Sequence, residues 1–236
     1  MIPKFTSYSI FSDTLDVYLI NENTREIQEI INILILMARL KYDFFQFFIQ
    51  EERFHYLNFL LSNKLISIHS SCLELFYELL INIGPIVIPY IVNLKDQDNH
   101  SFLYWVFFQI SNNDFNSKVN GLHFIATLLD LNSRDGGEQM PNIKNSILSY
   151  LNVPFFENIF DIIEVSNDSV TLDFFTIIFF ALTHSEKMFQ LPVLMEFLNN
   201  SDFHDILINF TESTDKEPRL LDMTHLLLDN FFSDSS

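Results

Sequence analysis

The chain has 236 residues, and its 13 Lys and Arg against 31 Asp and Glu give a formal net charge of −18. This charge argues against nucleic acid and against an anionic membrane surface as partners, because both bind clustered Lys and Arg. The single cysteine, Cys72, excludes an intramolecular disulfide and a CxxC metal site, and it fits a reducing compartment, the cytosol or the nucleus.

The first half of the sequence predicts helices separated by polar or Gly-Pro breaks. Residues 1–6 read as a frayed lead-in, and Asn23 with Glu26 forms a capping-box-like start for a strong amphipathic helix. Gly84 and Pro85 mark the end of the helix at 67–82, because Gly favours a helix C-terminus and Pro cannot continue the helix. We predict helices over residues 7–19, 25–40, 42–49, 53–61, 67–82, 86–94 and 101–110.

The second half of the sequence continues with helices. A loop is predicted over residues 132–139, which contain Asp135, Gly136 and Gly137, and Pro218 suits the first turn of the last helix. Residues 233–236 are expected to be disordered. We predict helices over residues 117–130, 142–151, 154–165, 169–183, 191–198, 202–210 and 220–231. No strand pattern competes, so the predicted fold class is all-α.

The helix at 67–82 is apolar on nearly all sides, which predicts that neighbouring helices cover it. Its narrow polar stripe follows helical spacing through Ser67, Ser71, Glu74 and Glu78. If this stripe faces solvent, charge reversal at Glu74 and Glu78 should leave folding nearly intact.

The same helix design recurs along the chain. Successive anchoring aliphatic residues are 41, 51, 51 and 50 positions apart, with two shorter helices in between. The anchors are Ile27, Ile68, Val119, Val170 and Leu220. Three helices per unit at this spacing is typical of armadillo and HEAT repeats. We therefore predict a right-handed superhelical solenoid of about five stacked three-helix units, a single domain over residues 7–232, with an irregular helical bundle as the alternative.

Five segments carry a resemblance to known families. They are T-R-E-I-Q-E-I-I-N-I-L at 24–34, I-H-S-S-C-L-E-L-F-Y-E-L-L at 68–80, I-P-Y-I-V at 88–92 after Gly84-Pro85, V-N-G-L-H-F-I-A-T-L-L-D at 119–130 and K-N-S-I-L-S-Y-L at 144–151. In order and spacing they resemble armadillo-type proteins and, more narrowly, the helical region of the SMEK family, the regulatory subunit 3 of protein phosphatase 4. The resemblance implies a regulatory subunit that recruits or positions partners of a phosphatase catalytic subunit. That family's peptide-binding domain of pleckstrin-like fold and its acidic tail have no counterpart in these segments.

No catalytic or cofactor motif stands in the sequence. The P-loop, dinucleotide-binding, zinc-protease and nucleophile-elbow patterns are missing. The His residues are scattered, and only the pairs His184–Glu186 and His204–Asp205 suggest acid–base chemistry. We therefore expect a protein that is not an enzyme and uses no cofactor or metal. An enzyme would need His, Asp and Ser gathered in one deep pocket.

The polar stripes are the candidate binding residues. In armadillo solenoids the third helix of each unit lines the concave face, so the resemblance implies that the stripes form one groove. A mildly acidic groove suits an extended or basic segment of a protein partner, while an ordinary solvated face is the alternative. The stripe residues are Arg25, Glu29, Asn32, Ser71, Glu74, Glu78, Asn120, His123, Thr127, Asp173, Thr176, Asp222, His225 and Asp229.

Two further functions stay open beside a scaffold. A peptide-cargo adaptor of importin type would carry repeated Trp and Asn at fixed helix positions, whereas this chain has one Trp. That residue, Trp105, stands among four aromatic residues and is expected in the core and not at a binding hot spot. The four are Phe102, Tyr104, Phe107 and Phe108. The other possibility is a structural subunit of a larger assembly that buries a Phe-rich surface.

Overall fold

The computed structural model describes residues 24–40, 55–61, 66–96, 98–134, 141–185, 191–213 and 215–232. All regular structure in these ranges is helical, apart from one isolated bridge between Lys95 and Ser101. The predicted all-α class is confirmed. The chain divides into two compact units, residues 1–124 and residues 125–236. The predicted lead-in, the capping residue Asn23, the helices at 7–19 and 42–49 and the C-terminal end lie outside the described residues.

The described helices follow the predicted order closely. The first unit contains α1 (Thr24–Arg39), α2 (His55–Leu61), α3 (Ile66–Ile83), a 3₁₀ turn (Pro85–Val87), α4 (Ile88–Val92), α5 (Phe102–Asn112) and the start of α6 (Phe115–Arg134). The second contains α7 (Pro141–Tyr150), α8 (Val153–Ile159), α9 (Ile162–Val165), α10 (Asp168–Ser185), α11 (Leu191–Asn200), α12 (Phe203–Glu212), α13 (Pro218–Leu227) and a π-helical turn (Leu228–Phe232). None of these helices has the length and apolar character needed to cross a bilayer.

Two predicted boundaries are wrong. Helix α6 continues to Arg134, so the first three residues of the predicted loop at 132–139 are helical. The predicted helix at 154–165 is divided into α8 and α9 by a turn at Phe160 and Asp161. The Phe160 ring lies 5.7 to 6.1 Å from three other rings of the second unit, so tertiary packing holds the residue where the helix breaks. No Gly or Pro stands there to mark the break.

Gly84 ends α3 as predicted. Its φ of 86° lies in the left-handed region, which a residue with a Cβ adopts only at a cost. Its amide donates to the Leu80 carbonyl at 3.0 Å, which satisfies one of the last carbonyls of the helix. The chain then turns through Pro85 into the 3₁₀ turn.

Helix α1 packs along α3 through one apolar face. The residues of this face recur every three or four positions, as an amphipathic helix requires, and all are buried. They are Ile27, Ile30, Ile31, Leu34, Ile35 and Ala38. Helix α1 therefore covers one side of α3, in agreement with the predicted packing of α3 between neighbours.

Phe76 of α3 lies at the centre of an aromatic core. Its side chain is completely buried, and its ring lies 4.7 Å from Phe102, 6.4 Å from Trp105 and 6.5 Å from Phe124, always edge to face. Such pairs add about 0.5–1.5 kcal/mol to the effect of burial alone. Trp105 is itself only 3 % exposed, which confirms its predicted place in the core. These rings hold α3 against α5 and α6.

We expect Phe76→Ala to lower the free energy of unfolding by about 3–5 kcal/mol, because the change leaves a cavity among packed rings. Urea unfolding followed by the fluorescence of the neighbouring Trp105 measures the loss. The control is Phe115→Ala, at a ring that is 46 % exposed in the same unit, where a change within about 0.5 kcal/mol is expected. A loss at Phe76 no larger than at Phe115 would contradict the packing described here.

In the second unit, α10 packs against α13 over a phenylalanine core. Four of these side chains are completely buried: Phe156, Phe174, Phe175 and Phe203. The N-terminal ends of the two helices are joined at Asp168. Lys216 Nζ donates to one carboxylate oxygen at 2.9 Å, and the Glu217 amide donates to the other at 3.0 Å. These hydrogen bonds, that of Lys216 first, lower the pKa of Asp168 below its usual range.

This lowered pKa makes the contribution of Asp168 to stability depend on pH. The contribution is present above the unfolded-state pKa of about 3.9 and is lost as the pH falls through the lower folded-state pKa. We therefore expect Asp168→Asn to destabilise the protein near neutral pH and to lose that effect in acid, as measured by urea unfolding across pH. The exposed Asp222→Asn on α13 is the control. A destabilisation by Asp168→Asn that does not change with pH would contradict the charged pairing.

Candidate protein-binding groove in the first unit

A polar groove of about 950 Å³ opens between α1, α3 and the start of α6. We call it the α1–α3–α6 groove. All of its lining residues are polar or charged, with three carboxylates against one guanidinium. They are Thr24, Arg25, Gln28, Glu29, Ser70, Ser71, Glu74, Asp114, Asn116 and Asn120.

The groove brings together residues from three of the predicted polar stripes. Arg25 and Glu29 line it from α1, Ser71 and Glu74 from α3, and Asn120 from α6. They are far apart in sequence, so packing of the three helices alone creates the site. Each stripe faces the groove because the opposite side of its helix is buried in the core.

Hydrogen bonds between helices fix the groove walls. Gln28 Nε2 donates to Ser71 Oγ at 2.6 Å and so joins α1 to α3. Asn120 Nδ2 donates to the Ser70 carbonyl at 3.1 Å and joins α6 to α3. Because these contacts hold polar side chains in place, the groove is formed before any partner binds.

Four of the ten lining residues were not singled out in the sequence: Thr24, Gln28, Ser70 and Asp114. Gln28 and Ser70 each stand one position from a predicted stripe residue, and both take part in the hydrogen bonds that join the groove walls. Asp114 Oδ1 accepts a hydrogen bond from the Ser117 amide at 2.9 Å, as an N-cap does. An Asp three residues before a Ser is a helix-capping pattern, so the sequence could have indicated that α6 begins just after Asp114.

Glu78 does not lie on the exposed stripe, and its predicted place there is wrong. It is 7 % exposed. Arg39, at the end of α1, donates to Glu78 Oε1 from Nη2 at 2.6 Å and from Nε at 2.8 Å, and Asn82 Nδ2 donates to Oε2 at 2.7 Å. The carboxylate therefore joins α1 to α3 below the surface. Arg39 also reaches Glu74, which stays partly exposed, at 3.2 Å.

Charge reversal at Glu78 is therefore expected to destabilise the protein, in contrast to the result expected for an exposed stripe residue. We expect Arg39→Met to lower the free energy of unfolding by about 1–3 kcal/mol, because it leaves a buried carboxylate without its cation. Adding Glu78→Gln should restore part of this loss, because the amide carries no charge. Urea unfolding of the single and double variants measures both effects.

The matched control for this ion pair is Arg25→Met. Arg25 and Glu29 also form an ion pair, at 3.2 Å, but their side chains are 87 % and 62 % exposed. Exposed pairs contribute about 0–1 kcal/mol. Equal losses from Arg25→Met and Arg39→Met would show that burial of Glu78 does not matter to folding.

The remaining stripe residues lie outside the groove lining. Asn32 is exposed on α1 and accepts from Gln28 at 3.2 Å, while the His123 ring stacks on Tyr77 at 5.2 Å. Thr127 lies half-buried on the part of α6 that belongs to the second unit. The other five follow α10, α13 and the π-helical turn: Asp173 and Thr176 half-buried, and Asp222, His225 and Asp229 exposed.

The titratable pairs that suggested catalysis are not gathered in the groove. His204 Nδ1 lies 3.6 Å from Asp205 Oδ1 on the surface of the second unit, and His184 Nδ1 lies 2.9 Å from the Phe180 carbonyl oxygen. Glu186 lies outside the described residues. Cys72 is completely buried, and this burial raises the pKa of its thiol, which makes the cysteine unreactive.

One surface cluster could offer metal ligands. Asp96, Asp98 and His100 each place one ligand atom within 4.8 Å of the others. His100 Nδ1 and Asp96 Oδ2 already bond each other at 2.9 Å, and the cluster is largely exposed. Nothing in the sequence spacing of these three residues marks them as a metal site.

Comparison of the chain with protein-family models, with curated proteins and with solved structures gives no match.

Proposed function

We propose that this chain is a non-catalytic protein-interaction scaffold whose α1–α3–α6 groove holds an extended, basic segment of a partner protein. The observation that carries the proposal is the convergence of three polar stripes on one groove. Its three carboxylates, Glu29, Glu74 and Asp114, still outnumber the two cations that reach them, because Arg25 pairs with Glu29 and Arg39 with Glu74. The groove therefore attracts positive charge.

The groove also offers groups that suit a peptide backbone. Gln28, Asn116 and Asn120 carry amide side chains, each able to donate and to accept hydrogen bonds. An extended segment exposes unpaired backbone N–H and C=O groups that need such partners. Basic side chains of the same segment would pair with the carboxylates.

The proposed architecture is an armadillo-type solenoid. One observation favours it. Helices that carry successive anchoring aliphatic residues pack side by side within each unit: α1 with Ile27 against α3 with Ile68, and α10 with Val170 against α13 with Leu220. Three of the long-range hydrogen bonds follow a similar spacing: Gln28–Ser71 spans 43 residues, Asn120–Ser70 spans 50 and Lys216–Asp168 spans 48. The bond from Arg39 to Glu78 is shorter in sequence, at 39 residues. A stack of units that each bury a neighbour's face produces this regularity.

The resemblance to the SMEK family narrows the proposal to a regulatory subunit of a protein phosphatase 4 complex. Two of the segments that carry the resemblance, at 24–34 and 68–80, lie in the helices that form two groove walls. An adaptor of importin type is less well supported, because Trp105 is buried in the core and not placed in the groove.

The test changes groove charge without removing a cross-helix hydrogen bond. Glu29→Lys combined with Asn116→Lys adds positive charge from α1 and α6, at two exposed positions. We expect this variant to bind the partner recovered with the full-length native chain at least about tenfold more weakly, because the groove then repels a basic segment. Affinity purification followed by titration of the recovered partner measures the change.

The control makes the same charge change on α11 of the second unit, with Glu196→Lys and Asn199→Lys, both exposed. It should bind the partner as the wild type does. Equal weakening by both variants would contradict a role for the groove. Recovery of partners without a phosphatase 4 catalytic subunit would overturn the phosphatase assignment and leave the groove assignment intact.

A further inference from the structure

The three carboxylates that line the α1–α3–α6 groove are each half occupied by the chain itself. Arg25 Nε donates to Glu29 Oε1 at 3.2 Å, and Arg39 Nη2 donates to Glu74 Oε1 at 3.2 Å. Asp114 Oδ1 accepts a backbone N–H from the first turn of α6 at 2.9 Å. The second oxygen of each carboxylate has no hydrogen-bond partner in the part of the chain that the structure describes. Each carboxylate therefore offers a ligand one oxygen and not two.

Two amide side chains of the groove use their nitrogen atoms to join the helices. Gln28 Nε2 donates to Ser71 Oγ at 2.6 Å and to Asn32 Oδ1 at 3.2 Å. Asn120 Nδ2 donates to the Ser70 carbonyl at 3.1 Å and lies 3.4 Å from Ser70 Oγ. The oxygen of each amide accepts no hydrogen bond from any residue that the structure describes. An amide oxygen is an acceptor, so both side chains offer a ligand an acceptor and not a donor.

The groove therefore presents single acceptor oxygens, from carboxylates and from amides, on three different helices. An arginine side chain binds a carboxylate best through two parallel N–H groups, one on each oxygen. A carboxylate with one oxygen already engaged cannot form both of these bonds. A lysine ammonium directs three N–H groups from one nitrogen and can share them among separate oxygens. The pattern of unoccupied oxygens thus suits an ammonium better than a guanidinium.

We propose that the α1–α3–α6 groove recognises lysine side chains of its partner segment in preference to arginine side chains. This inference rests on the proposed function, because it names the basic residue that the groove holds. Arginine is ordinarily the stronger partner of a carboxylate, so a preference for lysine is a specific consequence of carboxylates that are half occupied. The amide of Asn116, which is exposed at the groove, serves the backbone of the same segment.

The probe is a synthetic peptide with three lysines at alternate positions, acetyl-Gly-Lys-Gly-Lys-Gly-Lys-Gly-amide. Calorimetry at low ionic strength compares its binding to the full-length chain with that of the peptide in which arginine replaces every lysine. The two peptides carry the same charge, and we expect the lysine peptide to bind about threefold more tightly. Spermidine carries the same charge without peptide groups and should bind more weakly than the lysine peptide. Spermidine that binds as tightly would overturn the assignment of the groove to a lysine-bearing segment.

Arg25→Met tests the cause of the preference, at a side chain that is 87 % exposed. The change frees Glu29 Oε1, so this carboxylate regains two oxygens for an arginine fork. Both peptides should bind more tightly because a positive charge is lost. The arginine peptide should gain more, so the ratio of the two affinities should fall from about three to about one.

The matched control is Arg219→Met, which removes the same charge from an exposed position of α13 in the second unit. It should leave the preference for the lysine peptide at about threefold. The same preference in Arg25→Met as in Arg219→Met would overturn the proposal, because the occupied oxygen of Glu29 would then have no effect.

The groove variant Glu29→Lys with Asn116→Lys separates failure of this inference from failure of the proposed function. It should weaken binding of both peptides, while Glu196→Lys with Asn199→Lys on α11 should not. If the groove variant weakens both peptides but the wild type binds the arginine peptide equally or more tightly, the lysine preference is overturned and the groove remains. If the groove variant leaves both peptides bound as before, the peptides lie elsewhere and the proposed function fails with the preference.

Discussion

The contact between α1 and α3 is the interaction on which the first unit depends. Its centre is the apolar face of α1, which packs against the largely buried helix α3. Its edges are polar, with Gln28 bonded to Ser71 near one end and Arg39 bonded to Glu78 near the other. The contact that buries the core therefore also fixes two walls of the groove, so folding and the binding surface depend on the same packing.

The residues of α3 have three different roles, and the side of the helix on which a residue lies decides its role. Phe76 lies in the aromatic core, Glu78 forms the buried ion pair with Arg39, and Ser71 and Glu74 line the groove. Because 3.6 residues make a turn, residues two apart point in clearly different directions, and one helix can serve the core and the groove together. The acidic character of the chain then appears in the groove as an excess of carboxylates.

The sequence predicts the helices well because apolar periodicity and Gly84 are local signals. It also places Arg25, Glu29, Ser71, Glu74 and Asn120 on polar helix sides, which the resemblance expects in one groove with the other stripes. The structure brings these five together and leaves the other stripe residues outside the groove lining. The burial of Glu78 was not predictable, because its partner Arg39 stands 39 residues away. The exposure of Tyr104 and Phe108 on α5 was equally unpredictable from the sequence, because both residues stand among core aromatics and their spacing does not mark them as exposed.

Cross-linking from within the groove tests the central claim most directly. A photoreactive benzoylphenylalanine is placed at position 116, on the α6 side of the α1–α3–α6 groove, and in a second protein at the exposed position 199 of α11. If the groove holds a partner segment, illumination joins the partner to position 116 and not to position 199, and the cross-linked peptide contains Lys or Arg. Cross-linking at position 199 alone, or of an acidic segment at position 116, would contradict this account.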